Sequence, residues 1–383
     1  MHRLDEDVNK LKAPIARDPS GPGSPLSASV CAACPQEELM LSGTVISGED
    51  MVALDGYVVI KNGIIKEVGE GRERGHFEGI ICPAFVNAHT HVADSIAKDP
   101  PFMDLADLVG PGGLKHRILE RAGDDLLIES MRFSAEEMLD SGTCAFGDFR
   151  EGGPHGVELL LRALEGLPIQ SRVFGRPLGT TADIHPACWG IGLSSTRDYD
   201  RDFVDEVVSI AKRSGKRVAI HAGEAGRDDI EGALAIGPDI LIHLSRAERS
   251  DLRDVADSGA SVVVCPRSNL FTRAGLPDIA AMLSLELNVC VGTDNLMINS
   301  TSIFREMELL SKAIVRDDRQ VFMMCTINGA RALGMAERLG SIDPGKEARI
   351  NVFDRNSRNL RGSLNPLASI VRRAEPSDIM LRI

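Results

Sequence analysis

Aromatic side chains are scarce: one tryptophan, two tyrosines and twelve phenylalanines make up 4% of 383 residues. A broad platform of stacked rings is therefore absent, and a purine-stacking surface would have to use Trp189 or a phenylalanine such as Phe102. Long apolar runs are missing as well. None reaches the roughly 18 residues that a transmembrane helix needs. No long Lys/Arg run occurs and the formal net charge is −13, which makes nucleic acid and anionic membrane poor partners. The opening "MHRLDEDVNKLKAPIARD" has no continuous apolar core, so no secretory signal is expected and a cytoplasmic location is. Of eight cysteines, only Cys31 and Cys34 have Cys-x-x-Cys spacing, and no second such pair exists to complete a structural zinc site. The others sit mostly in apolar segments such as "SVVVCP" and "LNVCVG" and read as small buried hydrophobes.

Hydrophobic residues at 43% and charged residues at 26% are ordinary for a globular protein with a large core. Residues 1–37, with "DPSGPGSPLSAS", read as a flexible tail because that composition cannot build a core. From Leu39 the texture changes to short β-rich runs, "LMLSGTVIS", "GYVVIKNGIIKEVGE" and "GIICPAF", with "KNGI" as a hairpin signal. Residues 83–337 then alternate apolar runs with helical patterns. Eight candidate strands are "AFVNAHTH", "TCAFGDF", "SRVFGRP", "WGIGLSS", "RVAIHAGE", "ILIHLS", "SVVVCPRSN" and "VCVGTDN". Continuous apolar strands between helices imply a parallel sheet covered on both faces. The expected fold is α/β, a (β/α)8 TIM-like barrel. One connection, "LGTTADIHPA", is too short for a covering helix, so the barrel is expected to be irregular between its third and fourth strands. Late strands in "ARINVFD" and "PSDIMLRI" cannot join a closed barrel. They are expected to pair with the early ones, so that residues 38–82 and 338–383 form one small β-sandwich domain from both chain ends.

Barrel active sites are built at the C-terminal ends of the strands. There the first strand carries His89 and His91, two residues apart and so on one side of an extended chain. The fifth carries His221 and then Glu224, the sixth His243, the eighth Asp294. Alone, His243 reads equally as a core histidine. Together, three imidazoles and a carboxylate suit a borderline divalent ion, zinc foremost and iron as the alternative. Such an ion brings water to reactivity near neutral pH, and Glu224 lies where a carboxyl could move protons.

The stretches "PAFVNAHTH", "IHAGEAG", "LIHLS", "CPRSN", "GTDNLMIN" and "NGARALGM…GSIDPGKEARINVFD" resemble the amidohydrolase superfamily, in its cytosine deaminase-like and triazine-hydrolase-like branch. The resemblance spans roughly residues 40–355. It implies that His89, His91, His221 and Asp294 ligate one metal, with Asp294 also accepting a proton from water. It further implies that Glu224 protonates the leaving group and that His243 orients the nucleophile or polarises the substrate. Binuclear relatives carry a bridging lysine on the fourth strand. "ACWGIGLSS" has none, which implies a single metal. The expected reaction is hydrolysis of a C–N bond in a small molecule, with deamination of an aminated heterocycle such as a nucleobase or nucleoside leading. A cyclic-amide hydrolase resembling imidazolonepropionase is the alternative, and an inactive barrel with a binding role the third reading. Self-association into a homo-oligomer is left open. Candidate substrate contacts are Arg150, Arg176 and Arg267, whose guanidiniums suit carboxylate or phosphate, together with Trp189, Ser268 and Asn269. The arginines equally suit ion pairs with Asp148 and Glu151. The Gly/Pro-marked loop "VADSIAKDPPFMDLADLVGPGGLKHR" is a candidate lid.

Overall fold

The computed structural model describes residues 38–71, 73–178 and 182–383. The expected tail and the Cys31/Cys34 pair lie outside the described residues. The chain opens with four strands, β1 (Glu38–Ser47), β2 (Val52–Lys61), β3 (Ile64–Glu70) and β4 (Phe77–Pro83). Asn62 and Gly63, at φ 54° and 71°, make the two-residue turn between β2 and β3. Both positions need positive φ, which is why Asn-Gly suits them.

One residue past β4 the chain enters a second sheet of parallel strands. These are β5 (Phe85–His91), β6 (Thr143–Arg150), β7 (Gln170–Gly175), β8 (Gly190–Leu193), β9 (Arg217–Ala222), β10 (Ile240–His243), β11 (Ser261–Val264), β12 (Val289–Val291) and β13 (Asp294–Asn295). Their order is β12-β11-β10-β9-β8-β7-β6-β5-β13. Every residue of β5 and β6 is buried, as expected where helices cover both faces. The sheet is curled. Its two ends, β12 and β13, are separated in the chain only by Gly292 and Thr293; β12 pairs with β11 and β13 with β5. The buried Asn87 joins these edges, donating to Thr293 Oγ1 at 2.7 Å and accepting from Thr293 N at 3.0 Å. Gly292 is required by this approach, since a Cβ there would lie 2.7 Å from the Cβ of His89.

The last strands, β14 (Ile350–Phe353) and β15 (Ile379–Arg382), return to the first sheet, whose order is β15-β14-β4-β1-β2-β3. Both chain ends thus build it. A two-sheet sandwich was expected, but the described strands form one sheet. Its alternating residues serve two cores. Ile80, Cys82 and Phe353 pack with Phe85 and Phe322 toward the barrel, whereas Ile81, Ile350 and Val352 gather with Leu41, Val58 and Ile342. Two further readings of the sequence meet the structure here. No helix fills the β7–β8 connection among the described residues. The expected strand "SVVVCPRSN" stops at Val264, because Pro266 cannot donate to a ladder and instead starts a helix, Pro266–Phe271. No helix among the described residues is long and apolar enough to cross a membrane.

Candidate metal centre and pocket

Four side chains from three places in the curled sheet converge. His89 and His91 end β5, His221 lies near the end of β9, and Asp294 opens β13. Their ligand atoms all lie within 4.8 Å of one another. His89 Nε2 is 3.2 Å and His91 Nε2 3.5 Å from Asp294 Oδ1, and His89 Nε2 is 3.3 Å from His221 Nε2. His221 Nδ1 donates to the Leu193 carbonyl at 2.9 Å, so its inner Nε2 presents a bare lone pair. His91 Nδ1 lies 3.0 Å from Glu151 Oε1 and 3.1 Å from Lys115 Nζ, and its Nε2 faces the other ligands. The Nδ1 of His89 has no hydrogen-bond partner among the described residues; its ring stands edge-on to Phe149, with centroids 4.6 Å apart.

Burial lowers the basicity of all three imidazoles. It takes His91, with the Lys115 charge adding to it, down to about 3. They are neutral at pH 7. Burial opposes ionisation of Asp294, but the hydrogen bond with His89 and the neighbouring imidazoles outweigh it and hold the carboxyl well below its usual range. Three imidazole nitrogens and one carboxylate aimed at a common point, with His89 Nε2 and His221 Nε2 only 3.3 Å apart, fit a divalent cation between them. β8, where a bridging lysine would stand, carries none.

The next layer fixes these ligands. Ser268 Oγ donates to Asp294 Oδ2. Glu151, just past the end of β6, faces His91 and also pairs with Lys115 Nζ at 2.6 Å, Arg150 at 2.8 Å and Arg176 at 3.5 Å. Burial raises the Glu151 carboxyl, yet Lys115, His91 and Arg176 together hold it well below the usual range. A carboxylate behind a ligating histidine sets ring orientation and donor strength. Glu151→Gln should therefore weaken metal binding by roughly 10–100-fold, read by competition with a chromophoric chelator.

Glu224 and His243 stand on the other side. His243 Nδ1 accepts from Asn269 Nδ2 at 3.0 Å, which leaves its proton on Nε2, 3.4 Å from Glu224 Oε2. Burial raises the Glu224 pKa; His243 opposes this, while Asp294 and Asp229 add to it. The turn carrying Glu224 is tied by Asp229, which accepts from Gly223 N at 2.8 Å and from Ser195 Oγ at 2.9 Å. His243 and Asp294 have φ of 76° and 58°. Such left-handed backbone in non-glycine residues concentrates at functional sites.

His91, His221, Glu224, His243, Ser268 and Asp294 line a cavity of about 470 Å³. Its outer wall includes Leu105, Ala106, Val109 and Pro111 from the expected lid, with Ile298 also lining it. Lys115 reaches in from the following helix, Leu114–Arg121, and is 2% exposed. No Phe, Tyr or Trp is among the lining residues.

Three expected substrate contacts are corrected. Trp189 packs edge-on to Phe174 and beneath Arg172, away from the cavity. Arg150 is buried and spent on Glu151 and Asp148. Arg267 pairs with the fully buried Glu306 at 2.7 Å and the Ser300 carbonyl at 2.9 Å. Arg267→Met would strand the Glu306 carboxyl, so it should cost about 3–5 kcal/mol in denaturant unfolding while leaving KM and metal content unchanged. Arg176 remains: it lines the cavity, and its Nε has no partner among the described residues. Sequence reasoning missed Lys115 and the role of Glu151. The latter had a signal, since it directly follows β6 at the end of the sheet where such sites are built.

Comparison with known proteins agrees with this geometry. Residues 80–381 match the model of the amidohydrolase family. A protein of Methanothermobacter thermautotrophicus, provisionally named an aminohydrolase, is 35% identical across 89% of this chain and 96% of its own. The 5-methylthioadenosine/S-adenosylhomocysteine deaminase of Thermococcus onnurineus is 27% identical across 89% and 91%. Among solved structures, a zinc-bound adenosine deaminase from Xanthomonas campestris has the same fold, with a TM-score of 0.77 over 89% of this chain and 90% of that one at 20% identity. On the length and strength of these matches, the chain belongs to the amidohydrolase family.

Proposed function

We propose that this enzyme is a metal-dependent deaminase of a small aminated heterocycle, such as a nucleobase or nucleoside. The carrying observation is that Glu224 and His243 face the cavity beside the point where three imidazoles and Asp294 converge. The deaminase names of relatives support the reading. In it, β12 and β13 count as halves of one eighth strand that closes a (β/α)8 barrel, which places all six groups at one mouth.

His89, His91, His221 and Asp294 would hold one divalent ion, with zinc foremost. When bound, such an ion supplies a Lewis acid and lowers the pKa of water toward neutrality. The chain's own residues supply the proton movements. Asp294, ionised and held by Ser268, accepts a proton as water adds to the amine-bearing carbon. His243 keeps its Nε2–H toward the reacting centre because Asn269 occupies Nδ1. Glu224, whose carboxyl burial keeps protonated to higher pH, gives its proton to the leaving nitrogen. The C–N bond then breaks, ammonia departs, and the carbon keeps the oxygen. The aliphatic lid residues cover the heterocycle in place of aromatic rings.

Arg176, which lines the cavity while pairing with Glu151 at 3.5 Å, supports the second reading, hydrolysis of a cyclic amide that carries a carboxylate. A screen of aminopurines, aminopyrimidines and cyclic ureides separates the two. Release of ammonia supports deamination. Ring opening without ammonia overturns it in favour of the cyclic amide.

A further inference from the structure

A second set of metal-type donors lies against the first. His243 ends β10, Cys265 follows β11, and Asp294 opens β13. These are neighbouring ends of the curled sheet. One ligand atom from each lies within 4.8 Å of the others, and the three residues are 1%, 0% and 6% exposed. His243 Nε2 faces Glu224 Oε2 at 3.4 Å, and it becomes a free donor when the Asn269 amide turns so that Oδ1, which has no hydrogen-bond partner among the described residues, accepts the imidazole proton on Nδ1. An imidazole, a thiol and a carboxylate, with a second carboxylate in reach, form the donor mix that zinc, cobalt and cadmium accept. The proposed chemistry gives Cys265 no task.

We infer that His243, Cys265 and Asp294 form a second, weaker site for a thiophilic divalent cation, and that filling it stops turnover. The inference rests on the proposed roles of His243, Glu224 and Asp294. Three features make this site the weaker one. Ser268 already occupies Asp294 Oδ2. Asp294 is shared with the first ligand set. Burial, with Asp294, Glu306 and Glu224 nearby, keeps the Cys265 thiol protonated, so its proton must leave to solvent as the sulfur–metal bond forms. Occupancy removes the Nε2–H of His243 from the cavity and draws Glu224 toward the cation. Both are needed for proton transfer, so metal in excess should inhibit.

The test uses the full chain, stripped of metal and titrated with cobalt(II), whose near-ultraviolet charge-transfer band reports thiolate ligation. The first equivalent should bind without that band. Excess cobalt should produce it in the parent protein and not in Cys265→Ser or Cys265→Ala. In parallel, excess zinc should remove most turnover from the parent and little from either variant. The inference is overturned if excess cobalt gives no thiolate band in the parent, a result that needs no variant to fold. It is also overturned if both variants are inhibited as strongly as the parent. A thiolate band on the first equivalent would overturn it together with the ligand set of the main site. Failure to find an aminated substrate leaves the cobalt spectra unaffected, so the two readings fail separately.

Discussion

His221→Ala should purify without tightly bound divalent metal and without measurable turnover. His221 is the single ligand contributed by β9, and its ring is set by the Nδ1 bond to the Leu193 carbonyl of the neighbouring strand. Removing it leaves two nitrogens from one strand and one shared carboxylate. A site with fewer than four protein donors keeps metal only by adding water, and loses both affinity and the geometry that aims it. Changing Glu151, which merely supports a ligand, is expected to cost roughly 10–100-fold in metal affinity. Loss of a ligand should exceed that. Because binding to the folded state stabilises it by mass action, the parent should also melt higher with metal than after chelation, and the variant should show no such difference. Elemental analysis and paired melting curves check both points. A variant that retains a full equivalent of metal would remove His221 from the coordination set.

Much of this arrangement was legible from residue order alone, and the reasons are physical. Most residues of the curled sheet are buried, so its strands appear as apolar runs that end in polar residues. That termination is where His89, His91, His221, His243 and Asp294 fall, all five within the strands or at their ends. The pairing of late with early strands was also readable, since "ARINVFD" and "IMLR" had no place in a parallel barrel and needed a free edge. What failed were inferences that depend on side-chain direction. Arg150 and Arg267 stand beside expected site residues, yet their guanidiniums turn to buried acids, because leaving Glu306 or Asp148 unpaired in the interior would cost more than a substrate contact returns. Lys115 had no periodic or motif signal at all. Its burial comes from how the helix Leu114–Arg121 folds back over the site, and that is a property of the tertiary path. The "PRSN" segment misled by continuing an apolar run. Its proline marked a helix start, and that helix brings Ser268 and Asn269 to Asp294 and His243.

Glu224→Gln should keep its metal and its melting temperature but lose nearly all turnover of a true substrate. Glu224 lies three residues beyond His221 and is not among the four converging ligand residues, so coordination should survive. The amide matches the carboxyl in size and can still receive the His243 Nε2–H. It cannot deliver a proton of suitable acidity. Water can still add to the substrate carbon, but the adduct must expel nitrogen, and an amine leaves only after protonation. Without the proton carrier the adduct collapses back to the starting amine. Removal of a positioned general acid costs about 10²–10⁴-fold in rate, that is about 2.7–5.4 kcal/mol of barrier. The loss should fall on kcat more than on KM, because the group acts on a bond that breaks after the substrate is bound. Substrates with a better leaving group than ammonia, which need less protonation, should regain part of the rate. That rescue separates a missing proton from a distorted site, which would slow both substrates alike. Turnover near the parent rate would show that Glu224 is not the proton carrier, and loss of metal in this variant would show that it is a ligand.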